Sequence, residues 1–150
     1  MSLPANLIEE IRKVGATQEV DVDEALRSLG VLVGPDECVS YRVWGGPGFG
    51  QEAVLLDVYF LGKYALYNYT VLQAHVSGTC YFLDSIAAVS VVAVPDARSP
   101  YVLTLCGANK EEISRVFGGS KDLQGLERFR ADIVSRRIRN MEDRHAHLPN

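Results

Sequence analysis

Hydrophobic positions change their spacing twice along the chain, and each change marks a new kind of element. Leu7, Ile8, Ile11 and Val14 recur at helical intervals with Glu9, Glu10, Arg12 and Lys13 opposite them, the signature of an amphipathic helix. Pro4 suits its first turn and Gly15 its end. The segment "DVDEALRSLG" predicts a second, short helix. Asp21 caps it, Val22, Leu26 and Leu29 form its apolar stripe, and Gly30 ends it. Both helices are too apolar along one side to be free tails. They are expected to pack on the body of the protein or on a neighbouring subunit.

From Val31 the spacing falls to two. "ECVSYRVW" alternates Cys38, Ser40, Arg42 and Trp44 with Val39, Tyr41 and Val43, as a strand does. "GGPGFGQ" interrupts it. A long strand at "EAVLLDVYFL" turns near Gly62-Lys63 and returns as "YALYNYTVL". Then come "QAHV", a turn expected at Ser77-Gly78, and "GTCYFLDSIAAVSVVAV", which turns at Leu83-Asp84-Ser85. After a turn at "PDARSP" the chain continues as "YVLTLCG", giving about seven closely spaced strands joined by hairpin-length loops. Such spacing predicts a sandwich or small barrel rather than parallel βαβ units. "NKEEISRVFGG" reads as a polar connection. The segment from Ser120 to Ala146 is the clearest helix, with Leu123, Leu126, Phe129, Ile133, Val134 and Ile138 on one face. Arg128, Asp132, Arg136 and Arg139 lie opposite, and Ser120 or Asp122 can cap its start. The domain boundaries that follow are a helical extension over 1–30, a barrel with its helix over 31–142, and a frayed tail over 143–150.

Composition narrows the class. The 150 residues are 47% hydrophobic and 23% charged, ordinary for one globular domain. No run reaches the roughly 18 uninterrupted apolar residues of a membrane helix, and no secretory signal pattern is visible at the N-terminus. Cys38, Cys80 and Cys106 are odd in number, widely spaced and without ligand-spaced partners. They are expected to be buried reduced thiols, which agrees with a cytoplasmic location. The net charge of −4 argues against nucleic acid as a partner. It is unevenly placed: residues 1–60 carry four Lys/Arg against ten Asp/Glu, whereas residues 121–150 carry seven against five. An acidic front and a basic end could steer a partner or a second subunit, although solvated faces explain the same pattern.

The order of elements, seven antiparallel strands and then one amphipathic helix, resembles the pleckstrin-homology-like barrel. "YALYNYTVL", a glycine hairpin and "YFLDSIAAVSVVAV" are similar to the bacterial members of that family. Leu66-Tyr67-Asn68 stands at the family's Leu-Thr-Asn-like step, and Leu83-Asp84-Ser85-Ile86 with Val89 at its second segment. "VFGGSKDLQGLERFRADIVSRR" resembles the closing glycine turn and helix. The resemblance spans about residues 36–140; Tyr67 departs from it, and the N-terminal helices have no place in the minimal module. It implies a seven-stranded antiparallel barrel stoppered by the C-terminal helix, and a module that binds lipid headgroups, peptides or proteins, or assembles into rings, rather than an enzyme. Lipid-binding members cluster cations around the loop after the first strand. Here Arg42 stands alone with Lys63 on the next hairpin, which argues against specific phosphoinositide binding.

Candidate chemistry is sparse. "GGPGFG" lacks the following helix and the Lys-Ser/Thr frame of a phosphate loop. It reads as a hairpin tip, with Trp44 and Phe49 as a contact surface. A nucleophile would be Cys38, Cys80 or Cys106 with His75 as base and Asp57 or Asp84 orienting it, but no spacing demands that they meet. Asp57 inside "VLLDVYF" is expected on the exposed side of a half-buried strand, and His75 in water. Tyr41, Tyr59, Tyr64, Tyr67, Tyr69, Tyr81 and Tyr101 fit cross-strand packing, with a polar-aromatic pocket as the alternative. His145 and His147 on a tail make no closed metal shell, and no cofactor is implied. The run "SRRIRN" adds Arg136 and Arg137 as candidates for meeting acidic partners. The sequence therefore reads as a cytoplasmic, non-enzymatic binding or assembly module acting on a protein or on itself. Its binding candidates are Arg42, Trp44, Phe49, Lys63, Arg136 and Arg137. The alternative is a small ligand-binding barrel or enzyme using Asp57, His75 and tyrosines in an interior pocket.

Overall fold

A computed structural model describes residues 3–47, 53–73, 75–94 and 101–146. The opening helices are α1 (Ala5–Thr17) and α2 (Val22–Val33). Seven strands follow: β1 (Ser40–Pro47), β2 (Ala53–Leu61), β3 (Ala65–Leu72), β4 (His75–Phe82), β5 (Ala88–Ala93), β6 (Tyr101–Cys106) and β7 (Glu112–Gly118). The chain closes with α3 (Leu123–Ala146). Every paired strand is antiparallel to its predecessor, in two sheets ordered β1-β2-β3-β4 and β5-β6-β7. The fold is thus mixed α/β with two antiparallel sheets. Among the described residues no strand pairing joins the sheets, so they do not form the closed barrel expected from the sequence. A short 3₁₀ turn at Leu83–Ser85 carries the chain between them, where the sequence predicts a turn.

The first sheet is covered on both faces. Alternate residues Leu56, Val58 and Phe60 of β2, with Tyr69 and Val71 of β3, meet Leu7 and Ile11 of α1 and Leu26, Leu29 and Val33 of α2. The other parity, Tyr59, Leu61 and Leu66, faces the second sheet and α3. There Leu83, Ile86, Leu103, Leu105 and Val116 join Leu126, Phe129 and Ile133 in a second core. Two-sided burial explains why "VLLDVYFL" reads as a continuous apolar run and not as an alternation. The N-terminal helices accordingly pack on their own chain's first sheet. The helix α3 lies against β1, β5, β6 and β7. Its buried stripe is narrower than expected: Leu123, Val134 and Ile138 are among the exposed large apolar residues.

Several boundaries differ from the sequence reading. Gly15 does not stop α1; it is buried, and a Cβ there would lie 2.6 Å from Val22 Cγ2, so glycine permits α1 and α2 to approach. Asp21 caps α2 as expected, accepting from the Glu24 N–H at 3.2 Å. The helix, however, runs through Gly30 to Val33, and Gly34 at φ +57° ends it. No turn occurs at Ser77-Gly78: β4 is continuous, and the reversal sits at Gln73, whose φ is 49°. "EISRVFG", read as a connection, is strand β7. The count of seven strands therefore holds only because the sequence pattern splits one strand in two and hides another. The "GGPGFG" stretch is not all hairpin tip, since β1 extends through Gly45 and Gly46 to Pro47 with a bulge after Trp44. Helix α3 continues to Ala146, so residues 143–146 are not a frayed tail. Phe49, the turn at residues 95–100 and His147 lie outside the described residues.

Candidate functional site

A cleft lies between the outer edge of β1 and α3. It encloses about 460 Å³ and is lined by Pro4, Cys38–Arg42, Gly125, Arg128 and Phe129. A second hollow of about 200 Å³, lined by Val39, Asp132, Ser135, Arg136 and Arg139, shares Val39 with it. The two form one trough along the helix. Among the described residues β1 has a hydrogen-bonded neighbour on one side only. The Gly62 N–H donates to the Ala65 carbonyl in ladder register, so even-numbered residues of β2 bond β3 and odd-numbered ones bond β1. By the same alternation Ser40 and Arg42 bond inward, and the N–H and C=O of Tyr41 point out of the sheet into the cleft's side.

Electrostatics favour an anionic occupant. Arg42 forms an ion pair with Asp122 at the start of α3, tying β1 to the helix across 80 residues of chain. Its Nε is buried with no acceptor among the described residues. Arg136 donates through Nε to the Lys63 carbonyl at 3.1 Å and to Asn140 Oδ1 at 3.2 Å. Asn140, itself buried, donates to the same carbonyl at 2.9 Å, which anchors α3 on the β2–β3 turn. Neither Arg128 nor Arg139 has a carboxylate within ion-pair distance among the described residues. Cys38 also lines the cleft, where burial, then the charge of Asp36, pushes its thiol up to about 11. Such a thiol holds its proton at neutral pH and is a poor nucleophile.

Of the candidates read from sequence, Arg42 and Arg136 face this trough, and Lys63 adjoins it through its carbonyl. Arg137 turns to the opposite flank of α3 and donates to the Leu83 carbonyl at 3.0 Å. Trp44 is half-buried, with its Nε1–H on the Pro47 carbonyl at 3.3 Å. Val39, Tyr41 and Arg128 belong to the trough although sequence reasoning does not single them out as site residues. Their signals are the strand alternation around Val39 and the i, i+4 series Arg128, Asp132, Arg136.

The interior alternative assembles differently from its expectation. Asp57 is not on an exposed face. It is 4% exposed and points between the sheets, accepting from Asn68 Nδ2 at 2.6 Å and Thr70 Oγ1 at 2.8 Å. Burial raises its carboxyl to about 6 against the lowering effect of the Thr70 and Asn68 hydrogen bonds. His75 is exposed at the start of β4, two strands away from Asp57 in the register Asp57↔Thr70↔Ser77. Strand spacing of ~4.8 Å places their backbones roughly 10 Å or more apart, so the two side chains do not converge. Tyr59 spends its hydroxyl on Ser114 Oγ and on the Arg115 carbonyl at 3.0 Å, linking the two sheets. Tyr67 donates to Asp36 at 2.8 Å, and burial with that bond pushes it up to about 12. Asp84 is engaged by Arg144. Cys80 is exposed, against the expectation that all three thiols are buried, and Cys38 and Cys106 are half-buried. Among the described residues no three His, Cys, Asp or Glu side chains gather as a metal site, and no helix is long and apolar enough to cross a membrane. The chain matches no family model, no curated protein and no solved structure.

Proposed function

We propose that the protein is a non-catalytic binding module of pleckstrin-homology-like architecture that receives an extended acidic segment of a partner protein in the β1–α3 trough. Support for the architecture comes from the four-plus-three division of antiparallel strands and from the single helix laid across β1 and the second sheet. The observation that carries the function is the pairing of an open strand edge with Arg128, Arg136 and Arg139 on the facing helix wall. An incoming strand gains main-chain hydrogen bonds from the edge, and its carboxylates gain charge-assisted bonds from the arginines. An interior catalytic pocket has less support, because the Asp57 carboxylate accepts from Asn68 and Thr70 on the buried side while His75 lies in water two strands away.

Binding of a fluorescent Asp/Glu-rich peptide, followed by anisotropy, tests this reading. Affinity is expected to fall with added salt, to fall at least about tenfold on the double charge reversal Arg136→Glu/Arg139→Glu, and to fall again when alternate peptide N–H groups are methylated. No binding at low salt, or equal binding of a Lys-rich peptide, would defeat it.

A further inference from the structure

The opposite margin of the first sheet is built for a different contact. Among the described residues β4 pairs with β3 alone, and it is bordered on one face by α2. Its sequence, "HVSGTCYF", contains no Lys, Arg, Asp, Glu or Pro, whereas exposed strand edges are ordinarily guarded by such residues. The other margins differ: β1 carries Arg42 and Pro47 and faces the arginines of α3 across the trough, β5 packs against α3, and β7 carries Glu112 and Arg115. Val76 and Phe82 on β4 are 61% and 66% exposed, and Val31 on the bordering helix is 77% exposed.

The direction of the free hydrogen-bonding groups follows from the ladder. The Leu83 N–H donates to the Tyr64 carbonyl in register with the β3–β4 pairs, so odd-numbered residues of β4 bond inward. Alternation leaves the even-numbered residues, Val76, Gly78, Cys80 and Phe82, with outward N–H groups. Their carbonyls point the same way, although that of Phe82 already accepts from Ser85 Oγ at 2.7 Å. A second β4 running antiparallel across a two-fold axis must set even residues against even ones. The register that uses the whole strand centres the axis on Thr79. It places Val76 opposite Phe82, Gly78 opposite Cys80, Ser77 opposite Tyr81 and Thr79 opposite its own copy. Each is a compatible cross-strand pair, and no like charges meet.

We propose that this edge is a self-association surface, at which two copies of the chain join β4 to β4 into one continuous eight-stranded antiparallel sheet. The occupant is a second copy and not a foreign strand because the edge is uncharged and complementary to itself in that register. The surface is separate from the β1 trough, which lies at the far margin of the same sheet.

Light scattering of the full chain at high micromolar concentration is expected to give twice the mass of one chain. Val76→Lys, a change at an exposed position, returns it to the single-chain mass with an unchanged circular dichroism spectrum. In a Cys80→Ser background, Thr79→Cys forms a disulfide-linked dimer on mild oxidation, since the two Thr79 positions face each other at a non-hydrogen-bonded pair. Ser77→Cys, which faces Tyr81 of the other copy, does not. A single-chain mass at every concentration overturns the proposal. So does a dimer that withstands Val76→Lys, or cross-linking through Ser77→Cys as strong as through Thr79→Cys.

Discussion

Replacing Asp57 with asparagine should make folding stability respond differently to pH, and the size of the change follows from where the carboxylate sits. Asp57 is buried between the sheets with Asn68 and Thr70 as its hydrogen-bond donors, and among the described residues no cation lies within ion-pair distance of it. Burial lifts its carboxyl from 3.8 to about 6. The folded protein therefore holds this proton more tightly than the unfolded chain does. Its favourable contribution is complete below about 3.8, declines as pH rises towards 6, and is gone above that. A rise of roughly two pH units at about 1.4 kcal/mol each amounts to about 3 kcal/mol. The amide introduced by Asp57→Asn is neutral at every pH, and its oxygen retains the capacity to accept from Asn68 and Thr70. Urea unfolding of both proteins, followed through Trp44, the only tryptophan and the register partner of Asp57, isolates this group from all others. The stability of Asp57→Asn relative to wild type should climb by about 2–3 kcal/mol from pH 4 to pH 7. A difference that stays constant across that range would mean that the carboxylate is hydrated in the folded state, and burial would not govern its proton.

Other consequences are simpler to measure. Tyr59→Phe removes the hydroxyl that bonds Ser114 Oγ and the Arg115 carbonyl at the junction of the sheets, and chemical denaturation should register a loss of about 1–2 kcal/mol. Phe129→Ala empties the centre of the inter-sheet core and should cost about 3–5 kcal/mol in the same assay. Leu7→Ala, at a position with no exposure on the helical side of the first sheet, should cost about 2–5 kcal/mol. With a thiol reagent at neutral pH, Cys80 should react well before Cys38, whose thiol is both half-buried and pushed up to about 11; equal rates would contradict the burial.

Much of this architecture is legible from pattern alone, and the failures have physical causes. The Asp21 cap, the stripe of α1 and the buried face of α3 around Leu126, Phe129 and Ile133 follow from helical spacing and local hydrogen bonding. Ser77-Gly78 misleads because glycine normally punctuates a strand. Here Gly78 keeps its strand conformation within β4, and a Cβ there would meet Leu32 of α2 only at an ordinary 3.5 Å contact. β7 escapes notice because it is half solvated, so its polar residues mask the alternation. Asp57 misleads for a different reason: in a sheet covered on both sides, a polar residue does not mark the wet face. The trough is only half visible. Arg128, Arg136 and Arg139 show their common face in sequence, but their opposition to β1 depends on a pairing, Arg42 with Asp122, that spans 80 positions.

Helices on either side of the strands in sequence dock on opposite faces of the first sheet, so its two faces are completed at different times. As the polypeptide emerges, Leu7 and Ile11 wait for β2 and β3, while the other side of the sheet, Tyr59, Leu61 and Leu66, is covered later, by the second sheet and last by Leu126, Phe129 and Ile133. A nascent chain halted between residues 93 and 122 would carry a finished N-terminal half whose inner wall is still greasy.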